Sequence, residues 1–400
     1  MINEWAIVIL AMIGLLVRVG LMVYAAGVAR ARAATSVVVR QLLDLCVSAL
    51  AFWAVGLAIV SYTGNPIAGV DVRLLVGWSG PVGSEALVYL LGVLLAGGVV
   101  VIAMGERSRL KAVPVSAGVM SGVVVPVAAY WMWRGWLAEL GVIDAAGAGV
   151  IHVTAGAMAA VGAWLVGPRT NKYNRDGSSN MILGPSVPLS LVGVGLMTLT
   201  WGAYVLAFAA QRGNAALVPM NVLLGGAAGA LAACGYGYLR SGRVDPHLCA
   251  VGLMSGLVAV TGGAPFFGTG AAVLSGAVAG VIVPYVGMLL DTRYRLDDPG
   301  SVVAIHGVGG IWGLVAAGVF SSGLIGDRAI AAGVQAFAAV VLVAWAAGMG
   351  LAVFGSLKAA ARLRIREADE CDGPDLSEHD VNAYPDFHQT MIKSYHLREA

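Results

Sequence analysis

Two histidines in this 400-residue chain sit where ionisable side chains are rare: inside long apolar stretches. They are His152, in Gly149-Val150-Ile151-His152-Val153-Thr154-Ala155-Gly156, and His306, in Ala304-Ile305-His306-Gly307-Val308-Gly309-Gly310. Each follows an isoleucine and is followed four places on by a glycine, and each is preceded by acidic residues, Asp144 in one case and Asp297-Asp298 in the other. Imidazole titrates at about 6.5 and has two distinct nitrogens, so a pair in contact can pass a proton from ring to ring. An ionisable group at membrane depth is costly and usually faces a cavity or a partner. Two such groups in matching places point to one shared site. Two packing histidines, each satisfying a backbone carbonyl, is the plainer alternative. No carboxylate or cysteine lies near either histidine in sequence to complete a metal shell, so we expect no metal and no cofactor.

The elements that must bring these rings together are membrane helices. The chain is 59% hydrophobic and 12% charged, which argues against a soluble enzyme and against nucleic-acid binding, and its 56 glycines suit closely packed membrane helices. Apolar runs predict eleven spans, at about 5–27, 36–61, 85–103, 112–133, 147–167, 186–208, 216–239, 247–263, 269–290, 301–323 and 330–356. The first lacks a basic leader and a small-residue cleavage site, so it reads as a retained span. Basic residues cluster in alternate connections (Arg30 and Arg32; Arg107, Arg109 and Lys111; Arg169, Lys172 and Arg175; Arg240 and Arg243; Arg293 and Arg295; Lys358 to Arg366), whereas the other connections hold only Arg73, Arg134, Arg212 and Arg328. The positive-inside rule then places the N-terminus outside and the C-terminus in the cytoplasm of a multi-pass protein of the cytoplasmic membrane. The histidine spans are the fifth and the tenth and therefore run in opposite directions. The fold class expected is all-α integral membrane: an inverted five-helix repeat, about 1–167 and 186–323, plus one extra helix, about 330–356, all within a membrane domain 1–366. Residues 367–400 turn polar and acidic and read as a cytoplasmic tail, either a disordered end or a docking segment.

Other residues admit two readings each. Asp144, eight residues before His152, would either cap a helix start or attract a cation from outside. Asp297-Asp298-Pro299 reads as a cap. Trp133, in Tyr130-Trp131-Met132-Trp133-Arg134-Gly135-Trp136, is either part of an interfacial aromatic belt or a ring whose π-face holds a small cation. Arg18 in the first span and Asp44 in the second fall at similar depth, which suggests a buried structural ion pair. The four cysteines have no metal-ligand spacing and read as unpaired.

Taken together, these residues resemble the Amt/Mep/Rh family of ammonium transporters over nearly the whole chain. Asp144-Ala-Ala-Gly-Ala-Gly-Val-Ile-His152 is similar to the family's D-x-A-G-x-x-V-x-H, and Asp297-Asp298-Pro299 through His306-Gly307-Val308-Gly309-Gly310 to its D-D-P…H-G-V-x-G-I. Gly105-Glu106-Arg107 resembles its A-E-R, and Asp375-Leu376-Ser377-Glu378-His379 with Ala383-Tyr384 its tail motif. The resemblance implies a homotrimer of eleven-helix protomers in the lipid bilayer, each with a narrow apolar pore. It implies that His152 and His306 line that pore, that Trp133 and Asp144 serve an outer recruitment site, and that a PII-type signal protein binds the cytoplasmic face. Ammonium would lose its proton outside, ammonia would pass the histidines, and no enzymatic reaction would occur.

The sequence also departs from the family pattern. The outer of the family's two gating phenylalanines falls at Gly92, beside Leu91, and the inner one at Tyr204. The vestibule serine falls at Phe208, so Leu91, Tyr204 and Phe208 are the gate candidates. A rebuilt vestibule leaves two alternatives open: a channel of the same fold for methylammonium or a neutral solute such as ammonia gas, carbon dioxide or urea, and an ammonium sensor with little flux.

Overall fold

A computed structural model describes residues 3–77, 83–210, 213–320 and 325–384. Arg212, residues 321–323 of the tenth expected span and residues 385–400 of the tail lie outside the described residues. Among those described, the architecture is all helical; the only strand-like pairings are isolated bridges, Ser108 with Arg364 and Tyr173 with Ser179.

Ten helical segments are long and apolar enough to cross a membrane: α1 Glu4–Val28, α2 Ala31–Val60, α3 Ser84–Met104, α4 Ala112–Glu139, α5 Ala148–Val166, α6 Val187–Ala209, α7 Ala215–Ser241, α9 Thr269–Thr292, α10 Pro299–Phe320 and α11 Gly326–Ala359. Between α7 and α9 lies a shorter apolar helix, α8, Pro246–Thr261. These segments cover the stretches that the apolar runs predict. Local chemistry sets several of their starts. Asn3 accepts from the Ala6 N–H (2.8 Å) at α1, Ser186 from Leu189 (3.2 Å) at α6, and Asp245 from His247 (2.8 Å) at α8. Glycine then sets the packing. A Cβ at Gly229 would lie 2.3 Å from the Gly252 carbonyl oxygen, and one at Gly276 would lie 2.1 Å from that of Gly225. Helices α7, α8 and α9 therefore touch backbone to backbone, as lipid-embedded helices do when van der Waals contact drives their association.

One end of the bundle is rich in arginine and is tied by ion pairs. Glu106, after α3, binds Arg30 (2.6 Å) and Arg169 (2.7 Å). Arg169 also grips the Asp297 carboxylate with two nitrogens, each at 2.8 Å. Burial pushes the Asp297 carboxyl up, but Arg107 and Arg169 overcome this and hold it well below the usual carboxylate range.

The tail completes this network. Over 367–384 the disordered reading gives way to docking: two short helices, α12 Glu367–Asp372 and α13 Pro374–His379, lie against the basic face. Glu370 accepts from Arg30 (2.9 Å), Arg364 (2.8 Å) and the Thr170 N–H (2.7 Å). Asp375 accepts from the Thr35 and Ser36 N–H groups at 3.1 and 2.6 Å, so it caps the start of α2 from the far end of the chain.

Inside the bundle, Arg18 and Asp44 are both fully buried, with guanidinium and carboxylate 2.5 Å apart. The same Arg18 nitrogen reaches the Gln41 carbonyl (3.0 Å), and the Gln41 amide donates to the Gly98 carbonyl (2.9 Å). A Cβ at Gly98 would fall 1.2 Å from Arg18 Nη1, so α3 must be bare at that point for the guanidinium to fit. Removing one partner of a buried pair leaves an uncompensated charge, at a cost of about 3–5 kcal/mol, whereas replacing both with apolar residues can be nearly neutral. Thermal unfolding in detergent should therefore show large losses for Arg18→Met and for Asp44→Leu, and a smaller loss for the double variant than for either single one. Additive losses would mean the two charges do not act as a pair.

Candidate functional site

The two histidines meet. His152 Nδ1 and His306 Nδ1 are 3.0 Å apart and the rings are nearly parallel, with centroids 5.0 Å apart at 24°. Both side chains are buried. A bond between two Nδ1 atoms needs a proton on one of them only, so two neutral rings must hold opposite tautomers. The Nε2 atoms are buried and have no protein partner. One Nε2 is then a donor and the other an acceptor, both open to a small polar guest.

The local backbone explains how both rings reach the centre. Each histidine lies in a π-helical stretch, Ala148–Val153 and Ala304–Val308. The His152 N–H bonds to the Gly147 carbonyl, five residues back (3.1 Å). Each stretch is capped by an aspartate eight residues before its histidine. Asp144 accepts from the N–H groups of Gly147 and Ala148 (2.8 Å each), Gly149 (2.9 Å) and Val150 (3.1 Å). Asp298 accepts from Val303 and Ala304 (3.0 Å each). Of the acidic pair Asp297-Asp298, expected as a joint cap, only Asp298 caps; Asp297 is taken by Arg169. The turns between aspartate and helix use positive φ at Gly147 (93°) and Gly300 (68°), where a side chain would be strained.

The glycines four places on are equally constrained. A Cβ at Gly156 would lie 2.2 Å from the Gly307 nitrogen, and one at Gly310 would lie 2.8 Å from the Ala148 carbonyl oxygen and 3.1 Å from His152 Cβ. Each histidine segment thus packs its glycine on the backbone of the other. This reciprocity holds the rings at hydrogen-bond distance.

A file of aromatic rings leads from the histidines to the end of the bundle opposite the basic face. Trp201 stacks on His152 (5.5 Å, 15°) and its Nε1 donates to Thr261 Oγ1 (3.0 Å). Tyr204 stands edge-on to His152 (6.5 Å, 82°) and to Trp201 (5.5 Å, 89°), and its hydroxyl donates to the Ala146 carbonyl. Phe208 crosses Tyr204 (5.5 Å, 80°) and leans on Trp133 (5.6 Å, 47°). Tyr89 stacks on Trp133 (5.6 Å, 16°), whose Nε1 donates to the Asp144 carbonyl (2.8 Å). Leu91 is buried; its Cδ2 and the Tyr204 backbone lie within 3.0 Å of where a Cβ at Gly14 would stand. The expected site residues therefore form one connected column, apart from Arg18 and Asp44, which are paired elsewhere in the bundle.

Tyr89 and Trp201 were not singled out by sequence. Trp201 carried a signal, since an indole in the middle of an apolar span lies away from the interfaces that tryptophan prefers. The Asp144 carboxylate is turned to four backbone N–H groups and serves as a cap, one of the two roles left open for it. Between Trp133, Phe208, Gly92 and Ile151 the cavity that water can enter is only about 10 Å³, room for no more than one molecule. Toward the basic face, by contrast, a cavity of about 650 Å³ opens among Ser190, Asp245, His247, Asp291, Asp298 and Ser301.

The described chain matches the model of the Ammonium Transporter Family over residues 5–384. It belongs to that family. Amt2 of Archaeoglobus fulgidus is 30% identical over 413 residues, covering 96% of this chain and 88% of that protein. Amt1 of Haloferax mediterranei is 31% identical over 390 residues, covering 90% and 75%. Among solved structures, one described as a sensor Amt protein superposes with a TM-score of 0.89 at 28% identity, covering 94% of this chain and 98% of that one. Mep2 of Candida albicans superposes at 0.82 with 21% identity, covering 92% and 87%, and shares the fold. The chain is thus a multi-span membrane protein of a family of transporters, not of enzymes.

Within that family frame, Phe208 stands over Gly92. A Cβ at Gly92 would lie 3.0 Å from Phe208 Cζ and 2.7 Å from Ile151 Cδ1. The volume that a side chain at 92 would need is shared by the Phe208 ring from α6 and the Ile151 side chain from α5. Phe208→Ser should leave a cavity and cost about 3–5 kcal/mol, and Gly92→Phe alone should overpack. The combined Gly92→Phe/Phe208→Ser variant should melt closer to wild type than either single variant. Melting of the double variant below both singles would show that the two positions do not share one volume.

Proposed function

We propose that this chain conducts ammonium across the cytoplasmic membrane by passing ammonia along the paired histidines, with its proton relayed separately through them to the cytoplasm, where the ion re-forms. The observation that carries this reading is the His152–His306 contact with both Nε2 atoms unpartnered in an apolar column. A bare cation moved into such surroundings would lose solvation worth on the order of tens of kcal/mol, so the charged form must give up its proton before entry. Ammonia has one lone pair and three N–H groups. It can accept from the protonated Nε2 and donate to the bare one, and both remain neutral.

At the outer end, the indole of Trp133 offers a π-face for the cation before it is deprotonated. Leu91, Tyr204 and Phe208 are the groups that must move aside for passage. Asp144 acts by holding the His152 segment and the Trp133 indole, through its carboxylate and its carbonyl respectively. The matching aspartate, histidine and glycine in the two segments support an inverted repeat with eleven spans, the N-terminus outside and the basic face in the cytoplasm. A homotrimer and a PII-type partner at that face belong to the same reading.

A second reading is favoured by one comparison and one geometric feature. A neighbour at 28% identity is described as a sensor Amt protein, and the aromatic column here is closed at Phe208. On that reading ammonium binds and alters the docked tail without useful flux.

Reconstitution into liposomes separates these readings. Ammonium should evoke a saturable current that falls at least tenfold, or loses selectivity over potassium, in His152→Ala and His306→Ala. Tight ammonium binding with neither current nor stopped-flow ammonia uptake would replace conduction with sensing. Uptake of ammonia without current would make the transported species neutral.

A further inference from the structure

A second site lies at the basic face, away from the pore. Five residues before its terminus at Ala359, α11 is still apolar; it then passes Lys358 and turns through Ala361, which has a positive φ of 53°. The following stretch runs beside the end of α3: the Arg109 N–H bonds to the Leu363 carbonyl (2.9 Å) and the Ile365 N–H to the Arg107 carbonyl (3.1 Å). The end of α5 closes the third side. The result is a groove of about 460 Å³ whose walls carry four cations, Arg109, Lys358, Arg364 and Arg366, and no acidic residue. Its floor is apolar, with Leu165 and Leu363, and Trp164 stands at its rim, 64% exposed.

The charges differ in how they are engaged. Arg364 is paired with Glu370 (2.8 Å), and Arg366 with Asp369 (2.8 Å). Arg109 donates only through its Nε, to the Arg364 carbonyl (2.9 Å), with the Asp369 carboxylate near enough to feel its charge, and neither Arg109 nor Lys358 forms an ion pair within 4 Å among the described residues. Two cations not held in salt bridges therefore face a groove that is half apolar and lies at the ends of α5 and α11. An exposed indole at that level matches the depth of lipid headgroups. Basic pockets between membrane helices suit anionic headgroups, and the adjoining apolar wall suits acyl chains.

We propose that this groove binds an anionic phospholipid, whose phosphodiester is held by Arg109 and Lys358 while an acyl chain lies along Trp164 and Leu165. The occupant is a lipid and not a soluble phosphate because half of the groove wall is apolar and adjoins the ends of the membrane helices α5 and α11, with the Trp164 indole exposed at its rim. The site is independent of the pore. It touches the hinge to the tail, because Arg364, which lines it, also holds Glu370, so an occupied groove and a docked tail share one arginine.

The test uses the full-length protein in detergent, with phosphatidylglycerol and phosphatidylcholine added separately and bound lipids counted by native mass spectrometry. Wild type should retain phosphatidylglycerol preferentially. An Arg109→Gln/Lys358→Gln variant should lose about 25-fold in that preference, from about fivefold per basic residue removed, and raised salt should weaken it. Both side chains are exposed, so the melting temperature should stay near that of wild type; if it does not, Lys358→Gln alone should still show the single-residue loss. Brominated phosphatidylglycerol should quench a tryptophan component that disappears in Trp164→Phe. An unchanged lipid preference in the double variant overturns the proposal. Displacement of the lipid by millimolar inorganic phosphate, or by a soluble acidic polypeptide, would also overturn it in favour of a soluble ligand.

Discussion

A single hydrogen bond between two imidazoles, 3.0 Å long and surrounded by apolar side chains, sets the terms for the rest of the molecule. In lipid, each backbone group that is not bonded within the protein costs several kcal/mol. Where the two rings meet, both helices are wound into π geometry close to their starts, and there, as at any helix start, N–H groups lack intrahelical acceptors. Asp144 and Asp298 take up those groups. The helices must also approach closely, which only glycine at 156 and 310 permits. One aspartate, one π-turn and one glycine on each side thus follow from the need to hold two rings in contact.

The same constraint explains why the charged residues are where they are. Asp298 caps the His306 segment, and its neighbour Asp297 anchors Arg169, which reaches Glu106, which in turn reaches Arg30. Helix α10, which carries His306, is therefore linked to the ends of α1, α3 and α5 through Asp297, Arg169, Glu106 and Arg30. Isolated surface ion pairs contribute little, but these carboxylates are buried, and each oxygen of Glu106, Asp297 and Asp298 accepts from a guanidinium or a backbone N–H.

Much of this was legible in the sequence, for physical reasons. Membrane helices announce themselves by length and hydropathy, so the segments fell where the apolar runs do. The histidines were legible because an ionisable residue in such a run is rare. The Arg18–Asp44 contact could be suspected because two opposite charges at one depth in lipid have few other partners. The aromatic column was harder to foresee. Tyr89 and Trp201 are ordinary residues for an apolar helix, and only the rotation of α3 and α6 aims them at Trp133 and His152. Likewise the docking of α12 and α13 depends on Glu370 and Asp375 meeting Arg30 and Ser36, which lie more than three hundred residues away in the chain. Acidic composition alone gave a choice between disorder and docking. Phe208 was visible as a departure, but that its ring fills the space above Gly92 is a matter of three dimensions.

The long reach of Glu370 bears on how the protein is made. Its partners Arg30, Arg364 and the Thr170 N–H belong to segments synthesised far earlier or just before it. During translation the helices enter the membrane in order, and the Arg30–Glu106–Arg169 chain can assemble as soon as α5 has been completed. The last carboxylate arrives only when the tail leaves the ribosome. Until then Arg30 and the Thr170 N–H lack that acceptor. Glu370 then neutralises part of the positive charge there, so a chain that terminates before residue 370 never closes its basic face.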